Sequence, residues 1–513
     1  FDFLHTGNFL SQLPVVFWFL FLLFLPLNSA FSQSSQFIGL PIIYNYSPTL
    51  YGFHSQNWGA VQDRRGLIYF ANSDGILEYD GVKWRLIRLS NGEACRALYL
   101  APDGIVYVAG FNEIGYISYS RTGNAEYTSL KSKMRGREND FLDVWSIAWF
   151  NGKVYFSTYD QVFIWDGKLV DTFNSQKSIS SLVSSNGKLI VAYKNGNPEI
   201  FDGNKLIPFI SNNPLYDADR IILCPKSDGG LVLFTKQGAM YEIIDRKVSP
   251  IRDDLPNLKN GGSIYEAKQL SNGLIALATV TAGVIIIDEN GTIIQTLNEE
   301  TGLGNNVAYS IYEDRQKNLW IALEEGLARI NINSPISIFD KRFKLLGSLA
   351  DVSVFKNRLF VSSTFGVFSL DFSGKISDHF FDRHDIKLDE SWNFLRHQDK
   401  LYISSSTGLY KIEGNKETRL TDDYCFMAHS PKDSTDTILL ASDDGLSVIR
   451  LDPTGEKVVQ SFEVKGITGE VRNITELAKK DFWLEISPYT LVRVKFNNGY
   501  FNQPEIIRYK YES

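Results

Sequence analysis

At 513 residues the chain exceeds what one hydrophobic core usually serves, so two domains are expected. Hydrophobic residues are 44% and charged residues 22%, too apolar for disorder, and 35 Phe and 25 Tyr against 3 Met favour strands over helices. A net charge of −7 with no long basic run argues against nucleic-acid binding in this region, which would need a phosphate-neutralising patch.

The N-terminus reads as an address. Leu13 to Leu27 (LPVVFWFLFLLFLPL) is almost wholly apolar, short for a bilayer span but right for a signal-peptide core. Ala30-Phe31-Ser32 fits a cleavage pattern, which gives a signal peptide over 1–32 and a mature start at Gln33. The upstream flank lacks Lys and Arg and the chain begins at Phe1, so an uncleaved N-terminal anchor is the alternative. Either reading places the rest of the chain in the periplasm or cell envelope.

From Trp58 onward one pattern recurs: an apolar strand, a polar turn, a second and a third strand, then Asp-Gly or similar. The first clear copy is Trp58 to Ile87. Others start near Cys95, Val144, Ile179, Asp219, Ile264, Val307, Leu345, Ser391, Cys425 and Val471. A spacing of roughly 41 residues matches four-stranded propeller blades. Asp103-Gly104, Asn151-Gly152, Asn186-Gly187 and Asn272-Gly273 supply the positive φ that tight hairpins need. A lone four-stranded sheet cannot bury both faces, whereas blades around an axis bury each other's. The expected fold is all-β: tandem β-propellers, the first seven-bladed over 37–333 and the second incomplete over 334–513, with four repeats. The extended segments Pro41–Asn45 and Pro335–Asp340 are each expected to close a ring by pairing into its last blade. The chain is expected to be an N-terminal fragment.

Three cysteines, Cys95, Cys224 and Cys425, are odd in number, far apart and close to strand starts, so buried thiols are expected.

The copy Asn306 to Ile332 carries Val307, Ile311, Asp314, Leu319, Trp320, Ile321, Gly326 and Leu327. It resembles the two-component regulator propeller repeat. Gly302-Leu303 and Asn305-Asn306 precede it like the family's usual lead, with Gly304 in place of a Pro. The stretch Asn57 to Arg85, with Asp63, Gly66, Gly75, Glu78, Tyr79, Asp80 and Gly81, resembles the opening blade of such sensors in Bacteroidetes-type bacteria. Elsewhere the resemblance is loose. It implies the periplasmic sensor region of a hybrid histidine kinase or helix-turn-helix regulator. In the family a triple-tyrosine domain, a membrane helix and the output domain follow. The resemblance therefore implies no enzyme activity in these residues, a homodimer in the intact protein, and membrane attachment only through other segments or an uncleaved N-terminal helix.

No catalytic residue, metal site or cofactor is expected. His379 and His384, with Asp382 and Asp385 nearby, are read as a solvated loop rather than metal ligands. Paired acids such as Glu324-Glu325 sit in turns. A binding site is favoured, because loops entering the innermost strands gather at one face of a propeller. Those loops hold His54, Gln56, Asn57 and Trp58 in the first copy, and Glu93 and Arg96 in the second. Asp143 and Trp145 follow in the third, and Asn305, Asn306 and Tyr309 in the seventh. Such aromatic and polar groups suit a glycan or peptide ligand, although Trp58 and Trp145 equally suit packing between blades. The charged segment Arg121–Asp143 is read as a long loop. The leading function is a ligand-sensing module; the alternatives are a polysaccharide hydrolase or lyase, or a protein-binding scaffold.

Overall fold

The computed structural model describes residues 39–134, 140–203, 205–211, 220–244, 246–258, 262–371, 380–384, 390–414, 416–488 and 490–510. The signal peptide expected over 1–32, His379 and Asp385 lie outside the described residues. Among the described residues, no helix is long and apolar enough to cross a membrane.

Each repeat forms one four-stranded antiparallel sheet, eleven in succession, so the chain is all-β with tandem propellers. The innermost strands of blades 1 to 7 are Asn57–Gln62, Cys95–Leu100, Ser146–Phe150, Ile179–Ser185, Ile221–Pro225, Ile264–Gln269 and Ala308–Glu313. Each packs against the next and the seventh against the first, so this ring is closed. Blades 8 to 11, with innermost strands Leu349–Phe355, Ser391–His397, Met427–His429 and Val471–Ala478, form an arc.

The hairpins follow from turn chemistry. Asn151-Gly152 and Asn186-Gly187 hold positive φ at both central residues (47° and 72°, 47° and 66°), as two-residue hairpins with the right twist demand. Lys356-Asn357 and Gln398-Asp399 adopt the same geometry without glycine, which made these turns less conspicuous in the sequence.

There is no single core. Apolar clusters lie between successive blades, each drawing facing strands from two sheets. Val61, Tyr69 and Ile76 of blade 1 meet Cys95, Val108 and Ile117 of blade 2. Ile68, Phe70 and Leu77 of blade 1 meet Trp320, Ala322 and Leu327 of blade 7 on its other side. All three cysteines are free and buried in such clusters.

The first ring is closed by Ile43–Tyr46, which pairs antiparallel with Leu327–Ile330 as the fourth strand of blade 7. Pro335–Asp340 behaves differently from the expectation. Ile338 bridges Leu40, beside the first ring's own closing strand, and Phe339, Phe343 and Leu345 cover Val361, Phe368 and Leu370 on the outer flank of blade 8. The fourth strand of the last blade comes instead from Glu505–Lys510. Two other readings are corrected. His384 is not in a solvated loop but buried, with Nδ1 2.7 Å from Glu417 and Nε2 2.9 Å from Ser369. Within Arg121–Asp143, Ala125–Ser129 is the fourth strand of blade 2, so the first part of the segment belongs to the sheet.

Candidate ligand-binding site

The seven innermost strands of the first ring surround an axial cavity of about 730 Å³. Its shape comes from a repeated irregularity. In blades 1, 2, 4, 6 and 7 the innermost strand has an extra residue at its second position. That residue has no partner on the neighbouring strand. Such a bulge re-aims one side chain without disturbing the ladder beyond it. The five residues so released are Trp58, Arg96, Ser180, Tyr265 and Tyr309, and all five line the cavity. Blades 3 and 5 place Trp145 and Arg220 there from the residue preceding the strand. A second tier comes from the turn after the second strand, where Tyr159, Lys194 and Lys236 also line the cavity.

These groups form a belt around the axis. Trp58 stacks on Tyr309 with ring centres 4.5 Å apart and meets Trp145 edge-on at 5.4 Å. Tyr309 meets Tyr265 at 5.0 Å, and the Arg220 guanidinium lies 4.9 Å from the Tyr265 ring. On the other side Trp145 lies 6.0 Å from Tyr159, and the Lys194 ammonium sits 3.7 Å from the Tyr159 ring. The Arg96 guanidinium is 4.6 Å from Trp58 and 5.2 Å from Trp145, while its Nε donates to Asp143 at 2.7 Å. Burial raises the Tyr159, Tyr265 and Tyr309 phenols above their usual range, with the hydrogen bond to Glu324 adding to the effect at Tyr309. They stay protonated at neutral pH.

The expected site residues divide. Trp58, Arg96, Trp145 and Tyr309 line the cavity, and Asp143 holds Arg96. Gln56 stands just behind the mouth, its Nε2 donating to Glu324 at 2.8 Å, the carboxylate that also accepts from Tyr309. The others do not line the cavity. Asn57 is fully buried, and its side chain bonds Gly326, Ser55 and Asn72, clasping blade 1 to blade 7. The His54 imidazole accepts from Gln56 N within its own turn, and the Glu93 amide is held by Asn91 on an exposed loop. The Asn305 and Asn306 side chains cap the turn before blade 7. Tyr159, Ser180, Lys194, Arg220, Lys236 and Tyr265 escaped the sequence reading. Arg220 and Tyr265 stand beside the repeat starts at Asp219 and Ile264, and that offset was the available signal.

The second arc repeats the device. The same bulge leaves Trp392 and Asn393 unpaired in blade 9 and Arg472 in blade 11. The Arg472 guanidinium lies 3.9 Å from the Phe426 ring of blade 10. Among the described residues, no group of three or more His, Cys, Asp or Glu is placed to hold a metal ion.

Residues 302–325, which lead into blade 7 and include its first two strands, match the family model described as two component regulator propeller. No curated protein matches the chain in sequence. Among solved structures the chain is similar to the extracellular domain of a protein described as a hybrid two component system from B. thetaiotaomicron. The likeness has 15% identity and a TM-score of 0.64, covering 92% of this chain and 73% of that one. An extracellular domain described as part of a one component system from the same organism is matched at 14% identity and TM-score 0.46, over 88% of this chain and 66% of that one. Virginiamycin B lyase from Staphylococcus aureus is matched at 12% identity and TM-score 0.45, over 56% of this chain and 98% of that one. The first of these establishes the shared fold. Inside that fold, the seventh blade carries the two component regulator propeller repeat.

Proposed function

We propose that this chain is the extracytoplasmic ligand-sensing module of a bacterial transmembrane signalling protein, with the axial cavity of the first propeller as its binding site. One observation carries the reading: all seven blades, through a bulge or the residue before the strand, aim one side chain into a common cavity of about 730 Å³. The size and the mixed aromatic and polar lining suit a small organic ligand, a glycan unit or a short peptide. A non-catalytic role is supported by the fixed acids. Asp143 is engaged by Arg96, Glu324 by Tyr309 and Gln56, and Glu266 accepts from the Ile311 amide at 2.7 Å. Export through the N-terminal segment and a homodimer in the intact protein belong to the same proposal.

The test is a thermal-shift and calorimetric screen of the chain against oligosaccharides and short peptides, with polysaccharide cleavage followed in parallel. Binding that is lost in Trp145→Ala and Arg220→Ala supports the reading. Cleavage of a polysaccharide by the wild-type chain overturns it in favour of an enzyme.

A further inference from the structure

We infer that the axial cavity is an anion site, and that the group it reads on its ligand is an oxyanion, a carboxylate or a sulfate. The inference rests on the proposed ligand-binding role of the same cavity and goes one step further, to the chemistry of what fits.

The charge balance comes first. Among the described residues the lining contains Arg96, Lys194, Arg220, Lys236 and Lys268 against one carboxylate, Glu266, with Asp143 paired to Arg96 behind it, in a chain whose net charge is −7. The concavity thus has the opposite sign to the molecule, and a cleft with low-dielectric walls concentrates such a field.

The unmet polar atoms point the same way. Arg96 Nη1 and Trp145 Nε1 are buried with no hydrogen-bond partner in the structure. Both are donors only, and a buried donor without an acceptor is costly, so a ligand that supplies acceptor oxygens is favoured.

The rings then change their role. The Trp58 ring carries Tyr309 stacked at 4.5 Å and the Arg96 guanidinium at 4.6 Å. A sugar ring stacking on Trp58 would have to displace one of them. The aromatic belt instead positions cations: Arg96 against Trp58 and Trp145, Arg220 against Tyr265, Lys194 against Tyr159. A ring face holds a cation without neutralising it, and a guanidinium so fixed presents a planar fork that matches a carboxylate or sulfate.

The experiment has two parts. Calorimetry compares trigalacturonate, its full methyl ester, inorganic sulfate and hexa-aspartate as probes of the whole chain. The expected result is that trigalacturonate binds, the ester does not, and Arg96→Gln or Arg220→Gln weakens binding at least tenfold while the surface control Lys205→Gln does not. Sulfate that competes shows the oxyanion alone is read. Hexa-aspartate that competes keeps the anion site and assigns the carrier to peptides. An ester that binds as tightly as the acid and is lost in Trp145→Ala overturns the anion inference and leaves the binding site standing. Silence from all four probes, or binding unchanged in both Gln variants, overturns the inference. The second part needs no ligand. Iodide should quench Trp145 fluorescence, taken as the difference from Trp145→Phe, more strongly than caesium, and that preference should shrink in Arg220→Gln. Equal quenching by the two ions overturns the anion site even if a neutral ligand is later found.

Discussion

A single carboxylate explains why the family's Asp and Leu-Trp-Ile travel together. Asp314 accepts from the Asn318 amide at 2.8 Å and from Trp320 Nε1 at 2.9 Å, so it caps the first hairpin and fastens the second strand at once. In blade 1 Asp63 caps the hairpin and Tyr69 points its hydroxyl at it; in blade 2 Asp103 accepts from the Tyr107 hydroxyl at 3.0 Å. A phenol replaces an indole N–H as donor, which is why the motif degrades to Tyr in copies that fold alike. Asp314→Ala should cost about 2–3 kcal/mol, because it strands a buried indole donor; urea unfolding measures it. The cysteines make a second prediction. Burial pushes Cys224 and Cys425 from an ordinary 9.0 up to about 12, and Cys95 upward as well. The unfolded chain therefore loses these protons first. This contribution to stability is intact below pH 9 and falls as pH rises from 9 towards 12. Denaturation midpoints at pH 8, 9, 10 and 11 should decline, less steeply when all three cysteines are replaced by Ala.

At the level of the strand, the fold was legible and half of the site was not. Alternating apolar residues announce the blades and Asn-Gly turns mark several of them, because hairpins are local. The cavity positions are set by a backbone bulge, not by a residue type, so Arg96, Ser180 and Tyr265 occupy equivalent places with nothing in common. Where the family motif is loose, as in blades 4 to 6, no recurring letter marks the spot. Asn57 misled for the opposite reason: beside a cavity residue in sequence, it points the other way into the sheet interface. Because the bulged residue has no ladder partner, Tyr265→Ser should leave the strand pairing intact and cost about 1–2 kcal/mol from the lost ring contacts while altering binding; paired melting and titration data check both halves. Tyr46 shows the contrast. On the closing strand it stacks against Trp320 at 5.6 Å and meets Trp84 at 5.5 Å. Tyr46→Ala should cost about 3 kcal/mol, read from the same unfolding curves.

Across the whole molecule, stability is distributed among interfaces between neighbours, seven in the ring and three in the arc, with the outer flank of blade 8 covered by Phe339, Phe343 and Leu345. Among the described residues, polar contacts join the two bodies. Asp340 holds Arg342 at 2.7 Å, Arg342 Nη1 donates to the Thr301 carbonyl, and Ile338 bridges Leu40. The extended segment before blade 8 was visible in the sequence, but its partner was not, since a bridge to Leu40 spans nearly three hundred residues. Arg342→Ala should leave each unit folded and loosen their mutual orientation. Small-angle scattering would then show a larger radius of gyration, and proteases would cut faster near 333–340.

The bulges have one further consequence. A side chain with no ladder partner can be exchanged without altering the strand pairing, so each blade works as one wheel of a combination lock. Five wheels rest on bulges and two on the residue before the strand, and neighbouring wheels touch while the frame that carries them stays still. The setting is read at the second position of the innermost strand in blades 1, 2, 4, 6 and 7 and at the residue before that strand in blades 3 and 5.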